Sequence, residues 1–276
     1  MTGADVAGVL ELRRRVHWSA GPEAFEILLE GFPSARWAVA ETPSGLLVGM
    51  VGGVPLGEVG ILCHLAVHPA HRGRGLGTQL SSWAITYLRS QGVGAVRLES
   101  TPVAEKPYGA LGFRRVGRRV LYHREAKPGV RPVIDGKYRV APLKASDLPE
   151  VYGLDRLSFG GDRSALIEAL LRRQGGSGLV ARDATRWVVG YLFRSGERLG
   201  PWAASTPEAG QTLMVRALTA AKPGIVEVAA PGGGPAHEVL VGLGFTGIPD
   251  RLRMELGEGP KTGGLETYGL SPYLVT

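Results

Sequence analysis

The chain has 276 residues, 44% hydrophobic and 21% charged, an ordinary globular composition long enough to predict two domains rather than one. Of its +7 net charge, +5 falls in residues 1–130 and +2 in 131–276, yet the basic residues are scattered and no zinc-finger, basic-zipper or RNA-binding aromatic motif accompanies them, so nucleic acid is not the expected partner. Cys63 is the only cysteine, which excludes an intrachain disulfide and argues against a cysteine-held metal, so no metal is expected.

The opening MTGADVAGVLELRRR carries acid early and bases late, the reverse of a secretory signal, so a cytoplasmic location is expected. Residues 5–16 and 22–31 read as helices, the second opened by GPEAF with Pro22 near its first turn. RWAVAE (36–41) and GLLVGMVGGV (45–54) are short β-rich runs joined by TPSG, a hairpin signal. The most apolar stretch, 45–63, is broken by glycines, a proline and a glutamate, so it reads as strands and not as a membrane span. A third run, VGILCHLAV (59–67), ends at His68-Pro69.

A glycine-rich loop follows, then a helix over 76–90, where Leu76, Leu80, Trp83, Ala84, Tyr87 and Leu88 recur at helical spacing. The next strand lies in GVGAVRLES, a short helix surrounds Tyr108 to Leu111, and residues 112–125 close the first half as a strand or two. Prolines and glycines mark 127–137 as a linker between domains 1–126 and 138–276. Ser146-Asp147 is placed to cap a helix. The second half repeats the first in outline. GLVARD and RWVVGYLFRSG mirror the strand pair, RLGPWAAS the third strand, TPEAGQTLMVRALTAA the long helix, GIVEVAAP the later strand, and HEVLVGLGF echoes KPYGALGF. The tail LETYGLSPYLVT ends the chain as a candidate last strand.

In LAVHPAHRGRGLGTQL (65–80), Gly73, Gly75 and Gly77 stand beside Arg72 and Arg74 between a strand and a helix start. Helix-start amides have no partner within the helix, and the helix dipole is positive there. Glycines admit phosphate oxygens to the backbone, and arginines add charge and forked donors. A tight turn is the plain alternative; it accounts for one glycine but not for three with two arginines. The nucleotide-triphosphate loop is a poor fit, because no lysine precedes Thr78, and so is the dinucleotide fingerprint, because the glycines are spaced Gly-x-Gly-x-Gly.

Arg72, Gly75 and Gly77 do meet the pattern Arg/Gln-x-x-Gly-x-Gly/Ala, and YGALGF follows some thirty residues later. With these motifs the chain resembles the GNAT superfamily of acyl-CoA-dependent N-acetyltransferases, strongly over about 5–125 and weakly over 138–276. The resemblance implies an α/β (α+β) fold of two tandem GNAT-like domains, each a mixed, mostly antiparallel sheet flanked by helices. It implies that acetyl-CoA is the co-substrate, its pyrophosphate bound by the amides of Arg72, Gly73, Arg74, Gly75, Leu76, Gly77 and Thr78. Main-chain groups of Leu65, Ala66 and Val67 would meet the pantetheine arm as an added strand would. Tyr108, five residues before Phe113, would protonate the departing thiolate; a packing aromatic is its plain alternative.

The acceptor amine must be neutral to attack, and Glu58, His64 and Glu99 are the candidate bases, the sequence not choosing among them. No Cys-His-Asn/Asp signature accompanies Cys63, which favours direct attack by the amine over a covalent acyl-enzyme. The arginines at 114, 115, 118 and 119 could meet a cofactor phosphate or simply form a solvated face.

The second copy departs from the pattern. Leu240 takes the place of Tyr108, the loop keeps one glycine (Gly210) without the arginines, and Glu208 would repel phosphate. Trp202 is set near that copy's cleft as a candidate substrate contact. The family's usual first strand is missing or very short. The reading is therefore an N-acetyltransferase acting on a primary amine of a small molecule or peptide, with a degenerate C-terminal copy. The rival is a non-catalytic acyl-CoA-binding or regulatory protein. The sequence leaves a homodimer open.

Overall fold

The computed structural model describes residues 5–18, 30–126, 136–173, 176–221, 223–260 and 266–269. Most of the expected helix at 22–31 and most of the expected linker lie outside them. The described residues pack as two units: those within 5–116 with 252–260, and those within 117–251 with 266–269.

The first unit opens with α1 (Val6–Arg15), followed by β1 (Arg36–Glu41), β2 (Leu47–Leu56) and β3 (Val59–Val67). The three strands form an antiparallel meander, its first hairpin turned at Gly45 in the left-handed region (φ +81°). Next come α2 (Leu76–Ser90), β4 (Ala95–Ser100) and the short α3 (Glu105–Ala110). The Leu80, Ala84 and Leu88 stripe of α2 is buried on the sheet as its spacing predicts. Glycines set how closely it lies. A Cβ at Gly49 would come 2.8 Å from Leu80, and one at Gly60 would come 2.7 Å from Leu88. Full burial of each such leucine contributes about 1.5–3 kcal/mol.

The sheet of this unit is completed from far along the chain. Residues 252–257 of β11 (Thr246–Gly257) pair antiparallel with β4, from Leu252 opposite Ser100 to Gly257 opposite Ala95. Leu252 and Met254 thereby join Leu62, Val96, Leu98, Tyr108 and Phe113 in one core. Reciprocally, β5 (Arg114–Ala126), the strand expected to close the first half, pairs antiparallel with β10 (Gly224–Pro231).

In the second unit the sheet continues from β10 to β9 (Arg198–Ala204), β8 (Val188–Ser195), β7 (Gly176–Arg182) and β6 (Arg139–Pro142). It is flanked by α4 (Leu148–Phe159), α5 (Ser164–Arg172), α6 (Pro207–Thr219) and α7 (Gly234–Gly242). Helix α5 was not anticipated from the sequence. Asp147 stands before α4 but makes no side-chain cap to it; its carboxylate instead accepts from the Lys144 amide at 2.8 Å and pairs with Arg182. A short strand, β12 (Glu266–Gly269), lies within the anticipated tail strand and pairs antiparallel with β9.

The repeat extends to detail. His68 donates to Val48 O as Ser205 donates to Val189 O, and Phe113 donates to Tyr108 O as Phe245 donates to Leu240 O. Gly112 and Gly244 both take positive φ in the matching turns. A Cβ at Gly190 would meet Leu213 of α6 at 2.8 Å, the same approach as Gly49 to Leu80.

Candidate active site

Strands β3 and β4 run parallel and pair over three positions, Val59 with Ala95, Gly60 with Val96 and Ile61 with Arg97. Among the described residues no further ladder pair joins them, although both strands continue. The cause lies on β3. Two residues of β2, Met50 and Gly52, bracket an irregularity that spans Cys63 to Ala66, and His64 within it sits at φ +53°. An extra residue on one strand bends it and increases its twist. A non-glycine residue in the left-handed region is strained and persists only where its surroundings hold it. Here Trp18 and Trp37 hold the His64 ring, at centroid distances of 5.8 and 5.5 Å.

Beyond the parting, β3 delivers Leu65, Ala66 and Val67 to the glycine loop. A 3-10 turn at Pro69–His71 follows, with the Ala70 amide donating to His68 Nδ1 at 3.2 Å. Arg72 donates from Nε to Val67 O at 3.1 Å, tying the loop to the strand end, while the rest of its guanidinium is exposed. Gly73 and Gly75 lie in the left-handed region at φ +74° and +76°, and a Cβ built on either meets nothing within 4 Å. Gly75 caps α2, and the Gln79 amide donates to its carbonyl. Leu76, Gly77 and Thr78 thus present the amides that have no acceptor within the helix. These residues fit a diphosphate: open space, positive-φ glycines and a positive helix end on one exposed loop.

Tyr108 sits on α3 at 5% exposure, edge-on to Phe113 with ring centroids 5.6 Å apart. It shares a core with Leu62 of β3 and Leu98 of β4, the strands that part. Burial pushes its phenol well above the ordinary range; a hydrogen bond with Ser81 of α2 opposes the rise and nearby Cys63 adds to it. Cys63 is fully buried, and burial drives its thiol up as well.

The three candidate bases are not equivalent. Glu58 is exposed in the β2–β3 hairpin, where its carbonyl accepts from Gly94 and Ala95, at the closed end of the strand pair. His64 and Glu99 both lie past the last paired positions. Glu99 is partly buried and stands across from Arg253 of β11. Burial pulls the Arg253 guanidinium down, and the Glu99 charge opposes that pull. Sequence reading missed Arg253, since only the ladder register brings it here.

Three of the four arginines have acidic neighbours, and Arg118 is exposed. Arg119 pairs with Asp250, Arg114 lies 3.7 Å from Glu255, and Arg115 lies 3.9 Å from Glu105. In the second unit Leu240 is fully buried where Tyr108 stands in the first. The α6 start there is capped by Thr206, which accepts from the Ala209 amide at 3.2 Å and bonds the Tyr138 hydroxyl at 3.0 Å. A threonine side chain therefore takes one of the amides that glycine leaves open at α2. Trp202 has no exposed surface and lies in the core, which removes it as a substrate contact.

Residues 7–113 match the model of the acetyltransferase (GNAT) family. Over these residues the chain is similar to the GNAT family. The family is one of acyl-CoA-dependent acyltransferases. Among curated relatives, the Probable N-acetyltransferase family 8 member 5 of Mus musculus is 36% identical over 89 residues, covering 29% of this chain and 39% of that protein. The Uncharacterized N-acetyltransferase YitH of Bacillus subtilis is 22% identical over 87% of this chain and 84% of its own length. An acetyltransferase-like crystal structure from Pyrococcus horikoshii superposes with a TM-score of 0.81 at 21% identity, covering 100% of this chain and 94% of its own. A tandem GNAT protein from the clavulanic acid biosynthesis pathway gives 0.62 at 18% identity, covering 94% and 96%. At these identities the structural likeness is one of fold, and it extends over both GNAT-like halves. No helix among the described residues is long and apolar enough to cross a membrane.

Proposed function

We propose that the N-terminal half transfers an acetyl group from acetyl-CoA to a primary amine by direct attack, and that the C-terminal half is a degenerate copy without a cofactor site. The observation that carries this reading is the parting of β3 and β4 beyond Ile61 and Arg97, immediately ahead of the open glycine loop. The free edge at Leu65, Ala66 and Val67 offers backbone groups to a pantetheine arm, and the amides from Arg72 to Thr78 with the two arginines hold the pyrophosphate.

Tyr108 donates its phenolic proton to the departing sulfur as the amine nitrogen bonds the acetyl carbon and the C–S bond breaks. The proton lost by the amine passes to Glu99 or His64, directly or through water. Glu58 drops out, being at the closed end of the strand pair. The high pKa of buried Cys63 supports direct attack, since a thiol that resists ionisation is a poor nucleophile. A small molecule or peptide supplies the amine.

Calorimetric titration with acetyl-CoA tests the reading. It expects one site per chain, abolished by Gly75→Glu. Two sites would overturn the degenerate second copy, and absence of binding would overturn the acetyltransferase reading itself.

A further inference from the structure

The second unit parts its strands as the first does, and the gap is taken. Strands β9 and β10 run parallel and pair at two positions, Arg198 with Glu227 and Leu199 with Val228. As in the first unit, an irregularity in register precedes the parting edge, here between Leu192 and Arg194 of β8. Beyond it, Trp202, Ala203 and Ala204 of β9 stand where Leu65, Ala66 and Val67 stand on β3. The correspondence is fixed by the matched bonds from His68 to Val48 and from Ser205 to Val189. It is fixed as well by the matched pairs Gly49 with Val67 and Gly190 with Ala204.

On that edge lies β12. Glu266 pairs with Ala204, Thr267 with Ala203 and Gly269 with Trp202, antiparallel to β9. The same short strand packs against β10, α4 and α7, which border the gap. The edge that the proposed function assigns to the pantetheine arm in the first unit is therefore hydrogen-bonded in the second by the chain itself.

We infer that the cleft of the C-terminal unit is a binding site for an extended peptide strand, filled in cis by Glu266–Gly269, and that this strand closes the cleft to acyl-CoA. An extended segment added to a free sheet edge gains a row of main-chain hydrogen bonds that a pantetheine amide pair would otherwise make. Loss of the anion loop and gain of the strand act in the same direction: the Thr206 cap removes the phosphate site and β12 removes the arm site. The likeness to a pantetheine channel rests on the proposed function; the occupation of the β9 edge does not.

The test places cysteines at facing positions in the full-length chain, Ala203→Cys with Thr267→Cys. Mild oxidation is expected to give a 203–267 disulfide, read as loss of both new thiols and as a linked peptide in a digest. Acetyl-CoA should still bind at one site. Two reactive thiols in a chain that keeps native circular dichroism would overturn the inference. If the double variant does not fold, hydrogen exchange decides between the wild type and Thr267→Pro. Exchange in segment 202–204 at least about tenfold faster in the variant supports the inference, and equal exchange overturns it. A cross-linked chain that binds no acetyl-CoA would sink the proposed function and leave the strand site standing; one site with free thiols would do the reverse.

Discussion

Arg253 stands directly across the ladder from Glu99, so a residue from the end of the sequence faces a candidate base in the N-terminal half. Charge attraction between them offsets part of what burial costs the guanidinium. Glu99→Gln removes that offset and is expected to lower stability by about 1–3 kcal/mol. In an Arg253→Gln background the same change should cost less, leaving a coupling of about 0.5–3 kcal/mol in a double-mutant cycle by urea unfolding. Additive losses would show that the two side chains do not interact. Activity divides the candidates separately: the base is whichever of Glu99→Gln and His64→Asn lowers turnover about 100-fold or more.

Gly75 combines a positive φ with open space above it. Gly75→Ala forces a Cβ into the left-handed region at a cost of about 1–2 kcal/mol and sets a methyl where phosphate oxygens approach. Gly75→Glu adds a like charge to the anion site. Acetyl-CoA affinity should fall measurably for alanine and vanish for glutamate by calorimetry, with folding retained in both. Unchanged affinity in the glutamate variant would remove the loop from the binding site.

Tyr108 is raised above its ordinary pKa of about 10 by burial, so the proton-bearing form persists through that pH. Turnover should therefore show no alkaline fall attributable to this residue at pH 9–10. Tyr108→Phe should lower the rate about 100-fold while leaving acetyl-CoA affinity intact. Stability follows the same shift with its own sign. Tyr108, Tyr191 and Cys63 are all raised in the fold, so their contribution is present below their unfolded values and lost as pH rises past them. Unfolding by urea should become easier from about pH 8.5, where an unfolded thiol ionises, and steeply so above about 10. Cys63→Ala should move that onset upward, and an onset that stays put would show that the thiol plays no part.

Much of this site was legible in the sequence because its parts are local. The spacing of Leu80, Ala84 and Leu88 marks a one-faced helix, and the strand, glycine loop and helix start are consecutive, so Gly73, Gly75 and Gly77 declare their role without a fold. The Leu-Gly-Phe turns declare the repeat, and with it the loss of Tyr108 at Leu240. What escaped is non-local. Nothing near Arg114–Ala126 says that it pairs with Gly224–Pro231, because a strand pattern specifies a buried face and not a neighbour. The same holds for Arg253 opposite Glu99. Trp202 was misplaced for a related reason: an aromatic beside a cleft and one in the core under it have the same local sequence. Helix α5 was missed although SALIEALLR carries a clear apolar face, with Leu166, Ile167, Ala169 and Leu170 buried.

In the second unit Asp155 and Arg163 form an ion pair with side chains 1% and 0% exposed. Arg163 donates from Nε to Asp155 at 3.1 Å and stacks over Phe159 at 4.0 Å, while the Tyr191 hydroxyl also donates to Asp155. Burial pulls the guanidinium down and the attraction of Asp155 more than offsets it; an arginine is basic enough to stay charged at any working pH even without that partner. Removing one partner therefore strands a charge in the core and cannot be relieved by losing a proton. Asp155→Asn should cost about 3–5 kcal/mol in urea unfolding. Replacing both groups, Asp155→Leu with Arg163→Met, should cost far less, because no buried charge then remains. Equal losses in the single and double variants would show that shape, and not the ion pair, is what this part of the core requires.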